Sequence, residues 1–176
     1  VTVINGADNT TVPVPAGGAC LQVRADCPIV NWLPSVFASD PTLNQVINAW
    51  SVHPYPSSRD FGPKVNRSDP RWDYGRIAIT HQVDPSLPIW ITEVGWSTAT
   101  NCVDCVSEAT QASSVHDAVV RAVQEFGNYV TRIFIYSMDM SNGAAGDREG
   151  NYGLRRSDDS FKPAWNSLVG LIQNGV

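Results

Sequence analysis

No run of Lys or Arg occurs anywhere in the sequence, only 16% of its residues are charged, and the formal net charge is -5. That balance leaves no electrostatic footprint for a phosphate backbone or an anionic lipid surface, so nucleic acid is not expected as a partner. Long apolar runs are missing too. None approaches the roughly 20 residues with which a helix spans a bilayer, so no membrane partner is expected either. The start shows no basic segment followed by an apolar one, the pattern of a secretion signal. It begins at Val1 rather than Met, which leaves room for an upstream segment, a secretion signal or more, to have been removed. With 176 residues, 43% of them hydrophobic, the chain suffices for one core and is short for two, so a single domain or part of one is expected.

Cysteine is scarce but ordered. The four cysteines fall in two close pairs, Cys20 with Cys27 and Cys102 with Cys105, both in loop-like sequence. Cys-x-x-Cys at 102–105 is half of a zinc ligand set, and zinc is the rival reading. The wider spacing of the first pair and the lack of a nearby His favour two small loop disulfides, hence an extracytoplasmic protein with no metal. A redox-active Cys102/Cys105 is a third option, disfavoured because Val103 and Asp104 between them do not stabilise a thiolate. Asn9 and Asn66 open Asn-x-Ser/Thr sequons, which carry glycans only in a eukaryotic source.

Gly and Pro punctuate residues 1–30, as in "TVPVPAGGAC", and an irregular arm is expected there. Residues 31–176 carry the periodic signals. Asp40-Pro41 supplies an N-cap and a proline at the first helical position, opening a short helix through about Asn48. A strand at Ala49–Val52 follows and ends in "HPYP". Asp69-Pro70 repeats the device before "RWDYGRIAITHQV", a helix weakened by Gly75. Ile89–Thr92 reads as a buried strand. Ser107 caps a helix of about 108–126, in which Ala112, Val115, Val119, Ala122 and Phe126 recur along one face. "RIFIYSMDM" from Arg132 is a further strand. After a Gly-rich loop, Lys162–Gln173 forms the last helix, with Pro163 near its start and Trp165, Leu168, Val169 and Ile172 on its inner side. Trp50, Trp90 and Trp165 read as core, and His81 and His116 as solvated or helix-packing.

Strands alternating with helices in this way predict an α/β fold of parallel βα units. Reactive groups in such folds gather where the strands end. At the three C-terminal ends stand His53 and Tyr55, then Glu93 and Trp96, then Tyr136, Met138 and Asp139. One carboxylate, one imidazole and several aromatic faces suit a sugar ring, because aromatic planes stack on its C–H faces while carboxylates and His bind its hydroxyls. Carbohydrate is therefore the expected ligand, and no cofactor is implied.

"WSVHPYP", "PIWITEVGWST" and "GNYGLRRSDDSFKPAWNSL" together resemble the C-terminal half of the clan A retaining glycoside hydrolases, which are (β/α)8 or TIM barrels. In that family strand six ends in His-x-Tyr, strand seven in the nucleophilic Glu, and strand eight near an aromatic residue. A Gly-Leu turn and a "KPA" helix start then close the barrel. The matching positions are His53 and Tyr55, Glu93, the Tyr136 to Asp139 region, Gly153-Leu154 and Lys162-Pro163-Ala164, over about residues 30–173. The resemblance implies double displacement, in which Glu93 attacks the anomeric carbon and a second carboxylic acid protonates the leaving oxygen and later activates water. It also implies that Tyr55 hydrogen-bonds Glu93, that His53 positions the sugar or the nucleophile, and that Trp96 and Tyr136 supply stacking surface. Asp139 is a further substrate-binding candidate.

One part of the family pattern is missing. The acid/base glutamate belongs on strand four, normally in Asn-Glu, and none of the four glutamates here follows an Asn. Glu108 and Glu125 fall on a predicted helix surface, which leaves Glu149 as the acid/base candidate, ahead of Asp139 and Asp147, unless the acid lies outside this chain. Arg148 and Arg155 read as solvated or as hydroxyl-binding. Strands one to four and most of strand five have no counterpart. The chain is then the second half of a barrel, or a free-standing half-barrel that serves as a carbohydrate-binding or assembly module. An open sheet leaves unpaired edges, so a partner is expected, either the missing N-terminal half-barrel or a second copy through self-association.

Overall fold

A computed structural model of the chain describes residues 2–5, 38–55, 74–102, 104–139 and 143–176. Among these, one sheet has the strand order β1-β2-β3-β4, with β1 at Thr2–Asn5, β2 at Ile47–Val52, β3 at Ile89–Val94 and β4 at Val130–Ile135. The helices are α1 (Leu43–Val46), α2 (Gly75–Val83), α3 (Glu108–Phe126) and α4 (Pro163–Asn174), and a 3-10 turn occupies Glu149–Asn151. β1 and β2 are parallel, with Val3 opposite Ala49 and Asn5 opposite Ser51. β2 and β3 are parallel as well, with Trp50 opposite Ile89 and Val52 opposite Ile91. The amide of Ile89 donates to the Tyr129 carbonyl and that of Tyr136 to the Val94 carbonyl, each at 2.8 Å. Start thus faces start and end faces end, so β4 runs with β3. The fold is α/β, built of parallel βα units, as the alternation of elements predicts.

β2 and β3 hold the core because their β-branched and aromatic residues are covered, as expected for inner strands of a parallel sheet. Ala49, Trp50, Val52, Ile89, Ile91 and Val94 are all buried. β4, at the end of the strand order, buries none of its six residues.

Several expectations need correction. The first 30 residues are not wholly irregular, since Thr2–Asn5 is a strand paired with β2. Its β-branched residues outweigh the Gly and Pro that follow. The rest of that arm, with Cys20, Cys27 and the sequon at Asn9, lies outside the described residues, as do Asn66 and Asp69-Pro70. The helix after Asp40 is a single turn and β2 begins at Ile47. The Asp40 carboxylate accepts from the Thr42 amide at 3.0 Å and from its hydroxyl at 2.7 Å, a local turn that competes with helix extension. α4 buries Ala164 and Leu171, while Ile172 is 71% exposed. The inner stripe is therefore displaced from the one expected. Trp50 is core, but Trp90 and Trp165 are only half-buried, and Trp165 stacks on Phe161 with centroids 4.7 Å apart.

Chain contacts divide into two compact units, the first comprising Val1–Pro54, Lys64–Thr92 and Asn128–Arg132, the second Tyr55–Pro63, Glu93–Gly127 and Ile133–Val176. In the first unit the Trp50 indole donates to Asp84 at 2.8 Å, and the Trp50 amide donates to the Pro88 carbonyl at 2.9 Å. Burial pushes the Asp84 carboxyl up, but hydrogen bonds from Ser86 and Trp50 outweigh it and hold the group below its ordinary range. His81 stacks on Tyr129 with centroids 3.8 Å apart and planes 3° from parallel, so it is a packing histidine. His116 is exposed on α3 beside Asp117.

In the second unit α3 and α4 pack together. The Ser107 hydroxyl accepts from the Thr110 amide at 3.1 Å and caps α3, whose buried stripe includes Ala112, Val115, Val119, Ala122 and Phe126. Gln111, fully buried, donates to the carbonyls of Trp96 at 2.8 Å and Tyr152 at 3.1 Å. Glu108 accepts a two-pronged pair from Arg156 at 2.8 and 2.5 Å. The Lys162 ammonium, buried at the start of α4, donates to the Thr98 hydroxyl at 2.8 Å and the Asn151 carbonyl at 3.2 Å. These bonds fasten the loop after β3 to the segment leading into α4.

Candidate carboxylate site

β3 extends to Val94, so Glu93 is the strand's penultimate residue rather than the one beyond its end. The chain then passes through Gly95, where a Cβ would collide with the Tyr136 carbonyl oxygen. Only glycine allows the segments following β3 and β4 to lie this close. Their contact sets Tyr136 beside the end of β3.

The Tyr55 hydroxyl donates to Oε2 of Glu93 at 2.9 Å. Around it three tyrosines pack edge to face, with centroid separations of 6.5 Å for Tyr55 and Tyr136, 6.1 Å for Tyr55 and Tyr152, and 5.3 Å for Tyr136 and Tyr152. Such edge-on contacts match the positive rim of one ring to the negative face of another. Burial first, then the hydrogen bond to Glu93, pushes the Tyr55 hydroxyl far above its ordinary range, so Tyr55 stays a donor through the physiological range. Tyr152 is pushed up to about 12 by burial; the charge of Arg148 pulls it down, while those of Glu149 and Asp104 add to the rise. Tyr136 is raised by burial and by the charges of Glu149 and Glu93.

Arg148 lies over the Tyr152 ring, 5.7 Å from its centroid. Its guanidinium pairs with Asp104 at 2.5 Å and reaches Glu149 at 3.7 Å. Glu149 itself is well exposed, with its amide held by Asp147 at 3.2 Å.

Tyr55, Glu93 and Tyr136 are thus brought together, and all belong to the second unit. His53 falls in the first unit, half-buried directly after β2. Trp96 was expected to offer a stacking face but is only 2% exposed. Its ring is part of the core, and its Nε1 has no partner among the described residues. Gln111 of α3 also holds the Trp96 backbone carbonyl. Asp139 pairs with Arg155 at 2.5 Å at the surface. Cys102 and Cys105 are joined in a disulfide. Cys102, Asp104 and Cys105 lie within 4.8 Å of one another, but sulfurs bonded to each other are not the thiolates that bind zinc. Sequence reasoning overlooked Tyr152 and Asp104. Tyr152 stands directly before the Gly153-Leu154 turn, which was a usable signal; the Asp104–Arg148 pair, 44 residues apart, left none.

No protein-family profile matches the chain, and no curated protein does. A solved structure of a family 39 glycoside hydrolase from the gut symbiont Bacteroides cellulosilyticus WH2 superposes with a TM-score of 0.60 at 22% identity, over 82% of this chain and 31% of that one. Over that span the chain has the same α/β fold as part of that structure. It spans less than a third of the length of that enzyme. Two structures of a Rhizomucor miehei beta-1,3-glucanosyltransferase of glycoside hydrolase family 17, one an active-site mutant with laminaritriose, match at TM-scores of 0.45 and 0.42. They are 15% and 16% identical, each over 77% of this chain and 55% of that one. These two likenesses are too distant to carry weight. No described helix is long and apolar enough to cross a membrane.

Proposed function

We propose that the chain is part of a retaining glycoside hydrolase acting on a secreted or cell-wall polysaccharide outside the cytoplasm, with Glu93 as nucleophile. The observation that carries this reading is the 2.9 Å hydrogen bond from Tyr55 to Glu93. That bond holds the carboxylate in one orientation at the end of β3. In the first step the Glu93 carboxylate forms a bond to the anomeric carbon as the glycosidic C–O bond breaks, and a second carboxylic acid gives its proton to the departing oxygen. In the second step that group takes a proton from water, the water oxygen attacks the anomeric carbon, and Glu93 is released.

Retention requires the second carboxyl about 5–5.5 Å from the first. Glu108 is committed to Arg156 and Glu125 lies along α3 near Arg121, so within this chain Glu149 is the candidate acid, ahead of Asp139 and Asp147; otherwise the acid comes from an N-terminal half that completes the barrel. Tyr136 offers the sugar a stacking face. The test is hydrolysis of aryl glycosides by the wild-type protein and by Glu93→Gln. A fall of more than about a hundredfold in kcat is expected for loss of a nucleophile, and equal rates would sink the assignment.

The pairing of Glu108 with Arg156 and the exposure of Glu149 favour a second reading, a carbohydrate-binding or assembly module that no longer turns over substrate. Glycan binding without hydrolysis, unchanged in Glu93→Gln, is its signature.

A further inference from the structure

We propose that Arg148 is a positioning residue of the carboxylate site, held in place by the disulfide-closed turn at Cys102–Cys105, so that the site's geometry depends on an oxidising environment. This rests on the assignment of Glu93 as the working carboxylate.

A surface arginine ordinarily samples many rotamers, and an exposed ion pair contributes little. Arg148 differs because it is fixed at three points. The Ser97 hydroxyl donates to its carbonyl at 2.7 Å, its guanidinium meets Asp104 at 2.5 Å, and the same group lies over Tyr152. The Ser97 carbonyl also accepts from the Val106 amide at 2.9 Å, so one short segment after Gly95 anchors both Arg148 and the exit of the cysteine turn. Within that turn the amide of Cys105 reaches the Cys102 carbonyl only at 3.5 Å. So long a hydrogen bond restrains little, and the covalent bridge flanking Asp104 is what closes the turn.

From Arg148 the contacts lead to the carboxylate. Tyr152, under the guanidinium, packs edge-on against Tyr55, and Tyr55 donates to Glu93. Arg148 also reaches toward Glu149 at 3.7 Å. The loops themselves do not depend on this chain of contacts. The Thr98 amide donates to the Asn151 carbonyl at 3.1 Å and that of Thr100 to the Ala145 carbonyl at 2.7 Å, which joins the two loops by backbone bonds alone. Opening the disulfide or removing Asp104 therefore leaves a folded protein with a loosened Arg148.

The experiment measures the rate at which a water-soluble carbodiimide modifies Glu93, read by peptide mass spectrometry, with Glu125 as internal reference. The samples are the oxidised protein, the protein reduced with dithiothreitol, and the variants D104N, R148Q and R148K, each checked for fold by circular dichroism. Glu93 is expected to react about threefold faster after reduction and in D104N and R148Q, the scale on which a partly exposed ion pair acts. R148K keeps a cation over Tyr152 and is expected to stay close to wild type. Equal Glu93 rates in oxidised and reduced protein, or R148K reacting as fast as R148Q, overturn the proposal. Turnover of an aryl glycoside by wild type and Glu93→Gln, followed in parallel, judges the glycosidase reading separately, because labelling needs no catalysis.

Discussion

Tyr55 and Glu93 are joined by a 2.9 Å hydrogen bond although 38 residues separate them in sequence. Parallel pairing of β2 with β3 makes this possible, since it carries the C-terminal ends of both strands to the same end of the sheet.

Tyr55→Phe removes that donor and leaves the ring. A hydrogen bond to a charged acceptor contributes about 1.5–3 kcal/mol, so kcat on an aryl glycoside is expected to fall between about tenfold and a hundredfold. An unchanged kcat means that Tyr55 does not support the reacting carboxylate.

Gln111→Leu keeps the volume of a buried side chain and deletes its two donated bonds. The carbonyls of Trp96 and Tyr152 then lose their donor inside the protein. A loss of about 2–4 kcal/mol in urea unfolding is expected. A loss below about 0.5 kcal/mol shows that water reaches these groups.

The Asp84 carboxyl, ordinarily at 3.8, is held lower in the folded protein. The folded state thus prefers the ionised form more than the unfolded state does, and the resulting stability is present above 3.8 and is lost as pH falls through the lowered value. Wild type and Asp84→Asn, compared by urea unfolding at about pH 6 and about pH 3, are expected to differ more at the higher pH. A difference that does not change with pH contradicts the assignment.

Two glycines should respond in opposite directions. Gly95→Ala drives a methyl group into the Tyr136 carbonyl, which is backbone and cannot swing aside, and is expected to cost about 2 kcal/mol or more. Gly170 lies within α4, and no atom stands within 4 Å of where its Cβ would be, so Gly170→Ala is expected to gain about 0.5–1 kcal/mol from helix propensity. Thermal or urea unfolding of the two variants side by side checks both signs.

What the sequence revealed tracks how local each signal is. Ser107 and the apolar stripe to Phe126 defined α3 to its ends, because cap and periodicity lie within one segment. Ile89 to Ile91 marked β3 for the same reason, and the Tyr55–Glu93 pair was implied by the family resemblance that the strand-end motifs carry. Contacts that only the folded chain creates stayed hidden. Trp96 looks like a platform in sequence, yet it is buried, and nothing near residue 96 announces that Gln111 holds its carbonyl. Ile172 has the right spacing for an inner face, but tertiary packing buries Leu171 instead. The role of Asp104 needed Arg148 to arrive from a loop 44 residues away.

The graded cover across the sheet has a consequence for motion. β2 buries five of its six residues and β4 none, and local opening begins where cover is thinnest. Amide protons of β4 should exchange with solvent before those of β2. Glu93, on β3 between them, stands at the boundary between a slowly breathing interior and a quickly breathing flank.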